Sequence, residues 1–231
     1  MIVAVAGGKG GVGKTTVSLN LGSGLDAVIV DGDLATTDLP TPHGPGIHDV
    51  LVGRVDPREA VERVGSVRLL AAGHAMEGAR AADLQRFREA VSAIERAYGS
   101  VVIDCPAGLA QDVGVFLDTA DVVVLVTTPN TAARVDAART REIAVRLGTP
   151  ISTIVVNKAS DETATGERLD SLRTAVETEL GAECIPIPFD PAVATAQEDG
   201  KPVVDVEPNS PAVDQFESIA TRIKNSERRL S

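Results

Sequence analysis

At 231 residues the chain is long enough for one large α/β domain or two small ones, and 43 % hydrophobic residues suffice for a substantial core although aromatics are only 2 %. Lys plus Arg number 22 against 33 Asp plus Glu, and the resulting net charge of −11 argues against broad, non-specific affinity for DNA. Apolar runs are strand-sized, as at 122–126, and far short of a membrane span; two cysteines are too few for a disulfide scaffold or zinc site, and Met1 leads straight into an apolar run with no room for a signal peptide, so a cytoplasmic protein is expected.

In chain order, IVAVA at 2–6 reads as a strand and is followed by GGKGGVGKTT at 7–16 and a helical stretch, TTVSLNLGSGL. AVIVD at 27–31 is the next strand. The Pro- and Gly-rich loop 35–46 reads as a surface connection, with Asp38 a loop residue. A strand at 67–71 precedes residues 83–98, where Leu84, Phe87, Val91, Ile94 and Tyr98 recur at helical spacing. Strands at 101–104 and 122–127 lead to a helix at 131–147, stopped by Gly148. A strand at 151–157, a helix through Leu169, Leu172, Val176 and Leu180 before Gly181, and a strand at 183–188 follow. Val213, Phe216, Ile219, Ala220 and Ile223 form one stripe of a last, core-packing helix, and residues 225–231 read as a short polar tail. Alternating strands and helices predict a single α/β domain over 1–231, doubly wound around a mostly parallel sheet with helices on both faces.

Residues 8–15, GKGGVGKT, satisfy the phosphate-loop pattern G-x-x-x-x-G-K-[ST] at every position, between a predicted strand and a predicted helix. Gly8, Gly10, Gly11, Val12 and Gly13 let the backbone turn its N–H groups toward phosphate oxygens, and the helix N-terminus at Lys14, Thr15 and Thr16 adds a favourable dipole. Lys14 is expected to reach the β- and γ-phosphates and the Thr15 hydroxyl to ligate Mg²⁺. One lysine suffices for this chemistry, and Lys9 is a second.

With that early lysine, KGGVGKTT resembles the deviant Walker A motif of the MinD/ParA family. The resemblance implies an ATPase in which two subunits sandwich ATP face to face and Lys9 crosses to the partner's phosphates. A cation supplied from outside stabilises transition-state charge only once the dimer has formed. Asp31 and Asp33 of VDGD are similar to the family's D-x-D, which implies Asp31 near the metal and Asp33 positioning or activating the attacking water. DCPAG resembles the family's D-x-P-A-G, which implies that Asp104 holds a magnesium-bound water and Gly108 senses the γ-phosphate. Asn157 of VVNK is expected on the adenine base. Ser160 stands where GTPases carry a guanine-pairing Asp, which favours ATP over GTP although Asp161 lies one residue on. IPFDPAV at 187–193 resembles the base-flanking segment. Asp136 reads as a surface aspartate, at a place where family members often carry an acid near the signature lysine. The first helix is short and loop 35–46 trimmed beside typical MinD sequences. His43, His48 and His74 lack metal-ligand spacing, and Cys105 reads as a small buried residue.

Within the family, the last helix carries no additional amphipathic membrane anchor, Arg222, Arg228 and Arg229 make only a thin basic patch for DNA, no C-x-x-C pair suggests an iron–sulfur carrier, and Tyr98 stands alone where a tyrosine kinase would have a cluster. The expected function is an ATP-dependent dimerisation switch with slow Mg²⁺-dependent hydrolysis, positioning or regulating a cellular structure through an unidentified activator or cargo protein. The alternatives are a nucleotide-binding scaffold with negligible hydrolysis and a ParA-like DNA-partitioning ATPase.

Only five of the basic residues are lysine: Lys9, Lys14, Lys158, Lys201 and Lys224. A lysine-poor surface rich in carboxylates, which hold hydrated cations, is the composition of proteins from a halophilic archaeon's salt-saturated cytoplasm; an acidic protein from a GC-rich genome is the alternative. On the halophilic reading the melting temperature rises from low to molar KCl. A flat or falling midpoint would sink it.

Overall fold

Four of the strands are made of uninterrupted Val, Ile, Leu and Ala ending in a polar residue or a glycine turn, the pattern of strands covered on both faces. The computed structural model describes residues 1–34, 39–40, 43–73, 84–108, 111–159 and 166–230. Asp38, His74, Ser160 and Asp161, with most of the 35–42 stretch, lie outside the described residues.

The strands are β1 (Ile2–Ala6), β2 (Val28–Asp31), β3 (Glu62–Val64), β4 (Val67–Leu70), β5 (Val101–Asp104), β6 (Val122–Thr127), β7 (Ile151–Ala159) and β8 (Cys184–Pro188). They form one sheet in the order β3-β4-β2-β5-β1-β6-β7-β8. All neighbours are parallel except β3, which pairs antiparallel with β4. The helices are α1 (Lys14–Gly24), α2 (Ile47–Leu51), α3 (Leu84–Tyr98), α4 (Gln111–Thr119), α5 (Thr131–Leu147), α6 (Gly166–Leu180), α7 (Pro191–Glu198), α8 (Val203–Val206) and α9 (Pro211–Leu230). The doubly wound, mostly parallel sheet is therefore the observed architecture. β3 and the helices α2, α4, α7 and α8 are additions to the elements expected from periodicity. Residues 225–230 continue α9.

Strand alternation divides the core. Val3 and Val5 face one side with Val17, Leu19 and Leu21 of α1 and Phe216, Ile219 and Ile223 of α9. Ile2, Ala4 and Ala6 face the other with Phe87, Val91 and Ile94 of α3 and Phe116 and Leu117 of α4. Beyond β6, Leu125, Ile154 and Val156 pack on Val176 and Leu180 of α6. Gly148 ends α5 in the left-handed region at φ 81°, where its N–H bonds back to Val145, as the sequence anticipates.

With so few aromatics, the buried pair Phe87 and Phe116 concentrates contact area between α3 and α4; the ring centroids are 4.6 Å apart and tilted by 47°. Phe87→Ala and Phe116→Ala are each expected to lower unfolding free energy by about 3–5 kcal/mol in urea titrations. The double variant should lose less than the sum, by roughly 0.5–1.5 kcal/mol.

Candidate nucleotide site

The chain leaves the carboxyl end of central β1, makes a seven-residue loop and enters α1 at Lys14. From β1 the chain winds outward through β2 on one side, and after β5 it crosses to β6 on the other, so this loop opens at the switch point of the sheet, where open α/β sheets bind ligands. Glycine is needed here for specific reasons. Gly13 caps α1 at φ 97°, and a Cβ there would fall 2.0 Å from Asn157 Nδ2. A Cβ on Gly8 would fall 2.3 Å from the Asp136 carbonyl oxygen, so α5 presses directly on the loop. Asp136 thus sits beside the loop, its carboxylate paired with Arg139 at 3.0 Å.

The two loop lysines differ in environment. Lys14 is buried, and its Nζ donates to the Lys9 carbonyl at 3.4 Å; the Lys9 side chain is exposed. Thr15 Oγ1 donates to Asp104 Oδ2 at 2.8 Å, and Ser18 Oγ donates to Asp104 Oδ1 at 2.8 Å. The adjoining hydroxyl and carboxylate of Thr15 and Asp104 are hard oxygen donors suited to Mg²⁺, an ion that usually keeps several waters and takes phosphate oxygens. Thr16 Oγ1 bonds to Gln197 Oε1 of α7, fastening the first turn of α1 to that helix.

Asp31 and Asp104 end adjacent strands in direct register, both buried. Asp31 Oδ1 accepts the Asp33 N–H at 3.0 Å and Oδ2 the Ala72 N–H at 3.3 Å, so the first acid of D-x-D shapes the loop that carries the second. Asp33 is half-buried beyond the strand end. Gly108 has φ 90° with open space around it. Asn157 is buried at the end of β7; its Nδ2 donates to the Val12 carbonyl at 2.9 Å and its Oδ1 accepts the Lys158 N–H at 2.9 Å. The structure therefore gathers the loop, Asp104 and Asn157 directly around Thr15 and Gly13, with Asp31 and Asp33 on the neighbouring strand end.

Burial, with the Asp104 carboxylate alongside, pushes the Cys105 thiol far above its ordinary range, and burial holds Cys184 up at about 12. Neither thiol is ionised near neutrality, in keeping with Cys105 as a small core residue. His48 is buried in α2, its Nε2 3.1 Å from the Leu34 carbonyl, and has no metal-like neighbours; among the described residues no group of three or more His, Cys, Asp or Glu could hold a metal.

Three contacts were not anticipated. Ser18 was legible, since it lies one turn beyond Thr15 on the same helix face. Lys158, whose Nζ donates to the Gly11 carbonyl at 3.0 Å, and Gln197 carry no local signal of their contacts.

The ParA family model, described as NUBPL iron-transfer P-loop NTPase, matches residues 1–224. An uncharacterized ATP-binding protein of Methanocaldococcus jannaschii is 33 % identical over 234 residues, covering 96 % of this chain and 86 % of that protein. Among solved structures, the cell division ATPase MinD of Pyrococcus furiosus superposes with a TM-score of 0.83 at 26 % identity, over 97 % of this chain and 98 % of its own. The septum site-determining protein MinD of Pyrococcus horikoshii, complexed with Mg-ADP, gives 0.82 at 26 % identity, over 96 % and 95 %.

Ser18→Ala leaves Asp104 Oδ1 without its buried hydroxyl donor. Stability should fall by about 1–3 kcal/mol in urea titrations, and Mg-ADP should bind more weakly in calorimetry. Unchanged values would mean that Ser18 does not support the carboxylate.

Proposed function

The chain belongs to the ParA family of P-loop NTPases, and on that premise we propose that it is a MinD-like ATPase, a switch that binds Mg-ATP, dimerises around it and hydrolyses it slowly. One observation carries the dimer: the exposed Lys9 side chain stands on a loop whose own lysine, Lys14, is already buried at the head of α1. A second cation that the loop does not use internally suits delivery to the phosphates of a second copy.

On this reading the N–H groups from Gly8 to Gly13 and the N-terminus of α1 bind the polyphosphate, and Lys14 neutralises charge between its terminal groups. Thr15 would ligate Mg²⁺ directly, Asp104 through a water, and Asp31 stands within the same cluster of strand ends. When bound, the ion offsets charge on the β- and γ-phosphoryl oxygens. Asp33, half-buried just beyond the end of β2, would orient the attacking water and accept its proton. Lys9 from the partner would stabilise charge on the transferring group, so hydrolysis waits for association. Asn157 is assigned to the adenine side through the second hydrogen of its Nδ2. Relatives named MinD act in cell division, which supports a positioning or regulatory role through a protein partner. The iron-transfer branch of the family is less well supported, because the two cysteines are buried on different elements, one beyond β5 and one in β8. Among the described residues no helix is long and apolar enough to cross a membrane.

Light scattering in molar KCl with ATP and Mg²⁺ is expected to show a dimer for wild type and Asp33→Ala and a monomer for Lys9→Ala. Steady-state phosphate release should fall to background in Asp33→Ala. Wild type remaining monomeric would overturn the sandwich dimer, and turnover no greater than that of Asp33→Ala would favour the non-hydrolysing scaffold.

A further inference from the structure

Three of the chain's five lysines meet at the nucleotide loop. Two belong to it, but Lys158 arrives from the end of β7, and the phosphate-loop pattern does not require it. Its arrival has a structural cause. The pairing of β7 with β8 shifts register between Val156 and Ala159, and Lys158 takes φ 59°, in the left-handed region that side chains rarely adopt. Such an irregularity re-aims the side chains it carries. Here it brings Asn157 Nδ2 to the Val12 carbonyl at 2.9 Å and Lys158 Nζ to the Gly11 carbonyl at 3.0 Å.

These are successive peptide units. In a trans planar peptide the C=O and the following N–H point in opposite directions. Fastening the Gly11 and Val12 carbonyls toward β7 therefore turns the N–H groups of Val12 and Gly13 away from it. Outward N–H groups of this kind are what a phosphate loop offers an anion. Gly11 itself stands in open space, with nothing within 4 Å of where a Cβ would sit. We propose that Lys158 is a positioning residue for polyphosphate: its ammonium group, alongside the Asn157 amide, fixes two peptide planes of the loop so that their N–H groups face the phosphates.

The inference rests on nucleotide binding at this loop and not on dimerisation, so a monomeric protein would leave it standing. Lys158→Gly removes the ammonium group while accepting the left-handed φ, so the fold should hold. Binding of Mg-ADP and of inorganic tripolyphosphate to the full chain would be measured by calorimetry, with the melting midpoint alongside. Lys158→Gly is expected to weaken both ligands about three- to tenfold at an unchanged or raised midpoint, the range for one hydrogen bond. Lys158→Arg should recover most of the loss. Unchanged affinities would overturn the proposal, as would a loss for Mg-ADP alone, which assigns Lys158 to the nucleoside. A midpoint that falls together with affinity would also overturn it, by making Lys158 a support of the fold. Wild type binding neither ligand would overturn the nucleotide reading and this inference with it, whereas loss confined to the variant supports both.

Discussion

A loop that binds phosphate through its backbone must keep several N–H groups free for the ligand while its carbonyls find partners elsewhere. The organisation of this end of the sheet follows from that asymmetry. A carbonyl left unpaired in a partly buried loop costs free energy, and one that finds the wrong partner turns its peptide plane and withdraws an amide from the site. Here the Lys9, Gly11 and Val12 carbonyls accept from Lys14, Lys158 and Asn157, and the Gly13 carbonyl enters the ladder of α1. Two of those donors come from β7, two strands away from β1. The site is thus preorganised by the sheet and not by the loop alone.

The strand ends face the converse problem, because they concentrate carboxylates. Asp31 and Asp104 lie side by side and buried, where like charges repel and water cannot screen them. Each is given its own donors. Asp104 takes two hydroxyls from successive turns of α1, and Asp31 takes backbone N–H groups from its own turn and from Ala72, two residues beyond β4. The same hydrogen bonds that make the acids tolerable also hold α1 against β5 and shape the D-x-D turn. Electrostatic necessity and site geometry are therefore one set of contacts.

How much of this was legible in the sequence depended on whether a signal was local. β1 and β5 coincide with their apolar runs, and α5 stops at its glycine, because alternation and left-handed caps are properties of the strand or turn itself. β3 was not, since its three residues include Glu62 and Arg63 and none is buried. α4 carries a glycine in its middle, which blurs the periodicity. The phosphate loop could be read because its spacing is set by one strand–turn–helix unit, and Asp104 because DCPAG closes the apolar run of β5 and resembles a family motif. The contact of Lys158 with the loop could not, because it depends on a register shift between β7 and β8. The sequence placed Asn157 at the site, and the fold adds a contact with Val12 that only the three-dimensional arrangement supplies.

The surplus of 11 negative charges bears on the proposed dimer as well as on the monomer. Two such chains repel at long range, and nucleotide between them adds further negative charge. Unscreened, that repulsion opposes the close approach that Lys9 would need. In molar salt the screening length shrinks to about 3 Å, so the diffuse repulsion between surfaces fades while a direct lysine–phosphate contact survives. On the proposed reading, an acidic surface and a sparing use of lysine would serve the same end. Salt would remove what opposes association, and a Lys9–phosphate contact would act at a distance where screening is weakest.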